Sequence, residues 1–208
     1  MAIIAVVGSK GGVGKTTLAI NLTAGLCLDQ PATLLDADPQ QSASHWAMLQ
    51  GNDRPLAVQP ATRAPCQLAR AIQEQNSHVV IDCPPAVDAE QTREALRCAT
   101  LALVPVLPSP MDLWATNHIV ETIAQARQHN PELSCWLVIN QLESRTVLSR
   151  TARMAVEELE IPVAQTAIHR RAVYRTSLLE GRTVFHLGKA GETAQQEFNQ
   201  LIQEVLIP

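Results

Sequence analysis

Seven short apolar runs punctuate the chain: AIIAVV (2–7), ATLLDAD (32–38), LAVQ (56–59), HVVIDC (78–83), LALVPV (101–106), CWLVIN (135–140) and VAQTAI (163–168). They are continuous rather than alternating, as expected of strands covered on both faces by helices. Between them KTTLAINLTAGLCL, DLWATNHIVETIAQARQ and RTARMAVEELE repeat apolar residues at helical spacing, as does the terminal TAQQEFNQLIQEVL. This alternation predicts parallel βαβ units, and so an α/β fold with a mostly parallel, twisted sheet flanked by helices on both faces. No internal repeat, low-complexity tract or linker interrupts the pattern, and 208 residues suit one domain spanning 1–208.

Composition narrows the chemistry. Aromatic residues make up only 3% of the chain, which disfavours base-stacking platforms for nucleic acid. The five cysteines show no paired C-x-x-C spacing, so they read as small buried hydrophobes in a reducing compartment rather than as a disulfide framework or zinc site. The start MAIIAVVG carries no basic leader, and no apolar run reaches the roughly 18 residues that span a bilayer, so a cytoplasmic location is expected. Net charge is −4, yet the segment from Arg145 to Lys189 holds eight basic and four acidic residues. Local positive charge therefore sits in the C-terminal third.

Only three of the sixteen basic residues are lysines, and two of them, Lys10 and Lys15, fall within VVGSKGGVGKTT at 6–17. A strand, a glycine-rich turn and a helix starting near Lys15 form the context in which backbone N–H groups and a helix N-terminus cradle phosphates. Gly11, Gly12, Val13 and Gly14 supply the loop, Lys15 reaches the β and γ phosphates, Thr16 offers a hydroxyl to Mg²⁺ and Thr17 follows on the helix. The common G-x-x-x-x-G-K-[ST] pattern requires glycine where Ser9 stands. What the residues match is K-G-G-x-G-K-T-T, the deviant Walker A sequence, and here the chain resembles the ParA/MinD family of ATPases with its P-loop NTPase fold.

The resemblance extends along the chain. LLDADPQQSA is similar to the family's D-x-D-P-Q switch segment, which implies that Asp38 orients or activates the attacking water while Asp36 supports the Mg²⁺ shell. VVIDCPP ends in Asp82, similar to a Walker B aspartate that holds Mg²⁺ through water. The first lysine, Lys10, is implied to reach across an ATP-sandwiched dimer to the partner's nucleotide. Pro105, Pro108, Pro110 and Asp112 are implied interface residues, and Asn140 matches the position that contacts adenine. Gln141, Leu142 and Glu143 do not form the N-K-x-D guanine reader, so ATP is expected rather than GTP.

Arg170, Arg171 and Arg175 lie in IHRRAVYRTSLLEGRTVF, a stretch that looks like the non-specific DNA-binding segment of ParF-type proteins. MinD-type membrane binding is not expected. The tail has an apolar stripe of Phe198, Leu201, Ile202 and Val205 but carries Glu197 and Glu204 and no basic residue. The cysteines do not resemble the cluster-bridging pattern of nitrogenase reductase. The resemblance implies a Mg²⁺-dependent partition ATPase that dimerises on ATP and segregates DNA with a ParB- or ParG-like partner, associated with the nucleoid if it binds DNA. Positioning of a protein cluster is the alternative, and a metabolic ATP-dependent enzyme the third reading.

Overall fold

A computed structural model describes residues 1–51, 56–109, 116–143 and 161–206. Seven parallel strands form one sheet in the order β3-β2-β4-β1-β5-β6-β7. They are β1 (Ile3–Val6), β2 (Ala32–Asp36), β3 (Ala57–Pro60), β4 (His78–Asp82), β5 (Leu101–Val106), β6 (Ser134–Leu142) and β7 (Ile168–His169). The helices are α1 (Lys15–Leu26), α2 (Ser42–Leu49), α3 (Pro65–Gln73), α4 (Glu90–Cys98), α5 (Thr116–Arg127), α6 (Ala172–Leu179) and α7 (Glu192–Leu206). The expected α/β architecture with a parallel, two-sided sheet is the one observed.

Successive strand residues feed opposite layers, because side chains alternate across a sheet. Ile3 and Ala5 of β1 join a core with Ile72, Leu96, Ile119 and Ile123 from α3, α4 and α5. Ile4 and Val6 join the other core with Leu18 and Leu22 of α1, Trp46 of α2 and Phe198 and Leu201 of α7. Both layers leave the central strands without exposed side chains, which is why their sequences run apolar without alternation.

Three sequence expectations change. The run at 163–168 supplies only a single bridge, Val163 to Leu137, before the two-residue β7. The Glu204 carboxylate takes the N–H groups of Gln165 (2.5 Å) and Thr166 (3.0 Å), which removes them from a ladder. β2 stops at Asp36, where Ala37 N–H donates to Asp82 O and the chain turns, so Asp38 does not continue the strand. Of the cysteines, Cys83, Cys98 and Cys135 are buried as expected and Cys66 partly so, whereas Cys27 is exposed just beyond α1. The helix expected over 150–160 and the start of the one expected over 112–128 lie outside the described residues.

The turn after α6 seats against α2. Gly181 has φ +65°, and a Cβ there would lie 2.3 Å from the carbonyl of Leu49. Gly188 has φ +53° with nothing within 4 Å of a Cβ. Gly188→Ala is expected to cost only the left-handed penalty, about 1 kcal/mol, and Gly181→Ala a further backbone displacement, about 2 kcal/mol or more in all. Urea denaturation of both variants checks the difference, and equal losses would contradict the tight α2 contact.

Candidate functional site

The loop between β1 and α1 lies at the C-terminal edge of the sheet, where β1 sits between β4 and β5. That edge is where open α/β sheets take ligands. Gly14 is the N-cap of α1 with φ +89°, and a Cβ there would come 2.6 Å from Asn140 Nδ2. Only glycine fits this corner. At Gly11 and Gly12 a Cβ would meet nothing within 4 Å, so the loop is open on the side its backbone faces.

Asn140, at the end of β6, is 5% exposed and its Nδ2 donates to Val13 O at 2.7 Å. Gln141 Nε2 donates to Gly12 O at 2.9 Å. The end of β6 thereby fixes the loop from the far side. Gln141 entered the sequence reading only as evidence against a guanine reader; its tethering of the loop depends on a contact 129 residues away that no local pattern announces.

Lys15 is buried, and its Nζ donates to the carbonyl of Lys10 at 3.0 Å. Gly8, one place early for the common pattern, packs under this side chain: a Cβ there would lie 3.4 Å from Lys15 Cδ. Burial lowers the Lys15 ammonium below its ordinary range, while Asp82 and then Asp38 work against the shift.

Asp36 and Asp82 are paired residues of adjacent strands and are both almost wholly buried. Asp36 Oδ2 accepts the Ser44 N–H at 2.7 Å, which anchors the start of α2. Asp36 Oδ1 and both Asp82 oxygens have no hydrogen-bond partner among the described residues. Burial raises the Asp82 carboxyl to about 7; Thr16 lowers it, Asp36 raises it, and Lys15 and Asp38 act in the same opposed senses. Three buried acceptor atoms without donors, next to the Thr16 hydroxyl, are a donor set fit for a hard cation. No group of three or more His, Cys, Asp or Glu among the described residues is arranged to hold a metal by itself.

Asp38 is half-buried, and its Oδ1 accepts the Gln40 N–H at 2.9 Å in an Asx turn. Lys10 is half-buried, as is Pro108. Pro105 is a correction: it is a buried strand residue paired with Val138, so its ring reaches no surface. Pro110 and Asp112 lie outside the described residues.

The three arginines do not form a separate patch. Arg170, Arg171 and Arg175 line a cavity of about 570 Å³ together with Gly14, Thr17 and Asn140, directly beside the phosphate loop. Arg170 pairs with Glu143 at 2.8 Å, and Arg171 pairs with Glu197 of α7. Glu197 is the other residue that the sequence reading missed. A signal existed: it falls at helical spacing with Leu201 and Val205, an acid on the buried face of a terminal helix.

Residues 4–184 match the CbiA family, the CobQ/CobB/MinD/ParA nucleotide binding domain. The chain belongs to this family. It is 41% identical over 207 residues to the maintenance of carboxysome distribution protein A of Halothiobacillus neapolitanus, across 98% of this chain and 95% of the relative. It is 30% identical to the chromosome partitioning protein ParA of Myxococcus xanthus, across 76% of this chain and 70% of that protein. Among solved structures, an ATP complex of a Cyanothece McdA variant superposes with a TM-score of 0.74 at 16% identity, covering 100% of this chain and 97% of the other.

The unpartnered Asp82 carboxylate yields a pH-dependent prediction. With a folded pKa near 7 against an ordinary 3.8, folding takes up a proton between these values, so stability falls as pH rises from about 4 to 7. Asp82→Asn in nucleotide-free, metal-free buffer is expected to be more stable than wild type by about 2–4 kcal/mol at pH 8. The gap narrows as pH falls through 7 toward 4. Thermal melts across this range check it, and a gap that ignores pH would mean that Asp82 is not held as an unsatisfied buried acid.

Proposed function

We propose that this protein is a Mg²⁺-dependent ATPase of the ParA type whose cargo is a protein body, carboxysomes or a similar shell-enclosed assembly. The observation that carries the reading is the 41% identity to a carboxysome distribution protein over nearly the whole of both chains. The sequence reading put DNA partition first and a protein cluster second. The order is reversed here, because the partition relative is less similar and matches a smaller share of either chain. Arg170 and Arg171, two of the residues behind that first reading, pair with Glu143 and Glu197 beside the loop.

Within this reading the phosphates of ATP lie against the N–H groups of Gly11, Gly12, Val13 and Gly14 at the N-terminus of α1. Lys15 exchanges the Lys10 carbonyl for phosphate oxygens, a stronger charge-assisted contact. Thr16, with Asp36 and Asp82 through water, holds Mg²⁺, which neutralises charge on the transferred phosphoryl group. Asp38 leaves its Asx turn and orients the attacking water. The Lys10 side chain serves a second copy of the chain across an ATP-dependent homodimer. A cargo-borne partner protein, in the role first expected of a ParB- or ParG-like protein, stimulates turnover. Asn140 faces the base side of the site from the cavity wall.

Asp38→Ala is expected to keep ATP affinity within about threefold and to lose at least tenfold in turnover, because water placement acts in the transition state alone. Phosphate release measured beside nucleotide binding checks it, and unchanged turnover would remove Asp38 from the mechanism. The cargo is tested in the host by imaging fluorescent carboxysomes in cells carrying Asp38→Ala. Loss of their even spacing, with plasmids retained normally, is the expected outcome. Evenly spaced bodies together with plasmid loss would favour DNA partition instead.

A further inference from the structure

The cavity beside the phosphate loop is walled in part by α7, a helix that begins eight residues beyond the family match at 4–184. Phe198 lines it directly, and Glu197 stands behind it with its carboxylate 8% exposed as a residue. Four donors converge on that carboxylate. Oε1 takes His169 Nδ1 at 2.8 Å and Arg171 Nη2, and Oε2 takes His169 N–H at 3.2 Å and the Tyr174 hydroxyl at 3.3 Å. His169, Arg171 and Tyr174 are themselves cavity residues, on β7 and the start of α6. Tyr174 also meets the Phe198 ring edge-on, with centroids 6.1 Å apart.

A buried carboxylate with this many donors is fixed in place, and it fixes its donors in turn. Arg171 gains most. Its guanidinium is held by one nitrogen, and its buried Nε has no acceptor among the described residues. A guanidinium so held keeps its cationic charge at a fixed place in the cavity lining. Gly14, Thr17 and Asn140 line the same cavity, so a nucleotide with its phosphates in the loop directs its base and ribose toward this corner.

We infer that Glu197 is a positioning residue for nucleotide binding, acting through Arg171 and His169 to build the base-side wall of the site from the C-terminal helix. The inference rests on the nucleotide reading above and deepens it. It assigns a ligand-facing duty to a helix whose apolar stripe otherwise packs only on the core.

The test separates the base side from the phosphate side by using two probes, Mg·ATP and Mg·tripolyphosphate, titrated calorimetrically into the full chain. Tripolyphosphate occupies the loop but has nothing to reach the wall. Glu197→Gln keeps the volume and replaces an acceptor facing Arg171 with an amide. It is expected to weaken ATP about tenfold or more, the loss typical of a charged hydrogen bond, and to leave tripolyphosphate within about twofold. In turnover assays KM rises while kcat at saturating ATP holds within about threefold. Glu204→Gln, on the same helix but serving the Gln165 and Thr166 amides, controls for general loosening and leaves the ratio of the two affinities unchanged. If Glu197→Gln does not fold, Arg171→Gln reads the same wall from the half-exposed partner, with the same selective loss of ATP expected. Wild-type ratios in the Glu197 variant, or equal losses of both probes, would overturn the inference while leaving the nucleotide reading intact. A wild-type chain that binds tripolyphosphate no less tightly than ATP would overturn it as well, and one that binds neither would overturn the nucleotide reading.

Discussion

A buried ammonium facing two buried carboxylates at the edge of a parallel sheet is the constraint around which this fold is arranged. Lys15, Asp36 and Asp82 all lie below a tenth of their free exposure. Charges so placed are costly unless partners meet them. Lys15 is met by the Lys10 carbonyl and by the fields of Asp82 and Asp38, and Asp36 by one N–H of α2. Burial raises the Asp82 carboxyl to about 7, against the Thr16 hydroxyl, which lowers it. The nucleotide-free site thus holds unmet electrostatic demand that a phosphate group and a cation together would satisfy.

The surrounding structure keeps that demand in place. β6 reaches the loop through Asn140 and Gln141, α1 rises from it into a wholly apolar layer, and α2 hangs from Asp36 through Ser44. Because α2 also packs against the Gly181 turn after α6, the carboxylate edge and the cavity wall are joined by one helix.

How much of this was legible in the chain follows from the range of each interaction. The phosphate loop, Asp36, Asp82 and most strand positions signal themselves locally, because glycine spacing, strand-terminal acids and unbroken apolar runs are consequences of backbone geometry. The weak strand near 163–168 was not legible, since the Glu204 carboxylate, 38 residues beyond Thr166, claims N–H groups that a longer ladder would need. The ion pairing of the arginine cluster was hidden for the same reason. Its charges looked uncompensated within the segment, yet Glu143 and Glu197 stand 27 and 26 residues distant from Arg170 and Arg171. Pro105 was expected at an interface, yet it sits within β5, where the neighbouring β1 ladder ends at Leu103 and places no demand on its missing N–H.

The central claim is that nucleotide converts this loop from self-contained to partner-facing, with Lys15 turning from the Lys10 backbone to phosphate and Lys10 turning to a second copy. Light scattering of wild type and Lys10→Ala, each with Mg²⁺ and a slowly hydrolysed ATP analogue, tests it most directly. The account predicts that wild type doubles from its 22.6 kDa monomer mass on adding the analogue, while Lys10→Ala binds the analogue and remains at 22.6 kDa. A wild type that stays monomeric with analogue bound, or a Lys10→Ala variant that dimerises as wild type does, would contradict it.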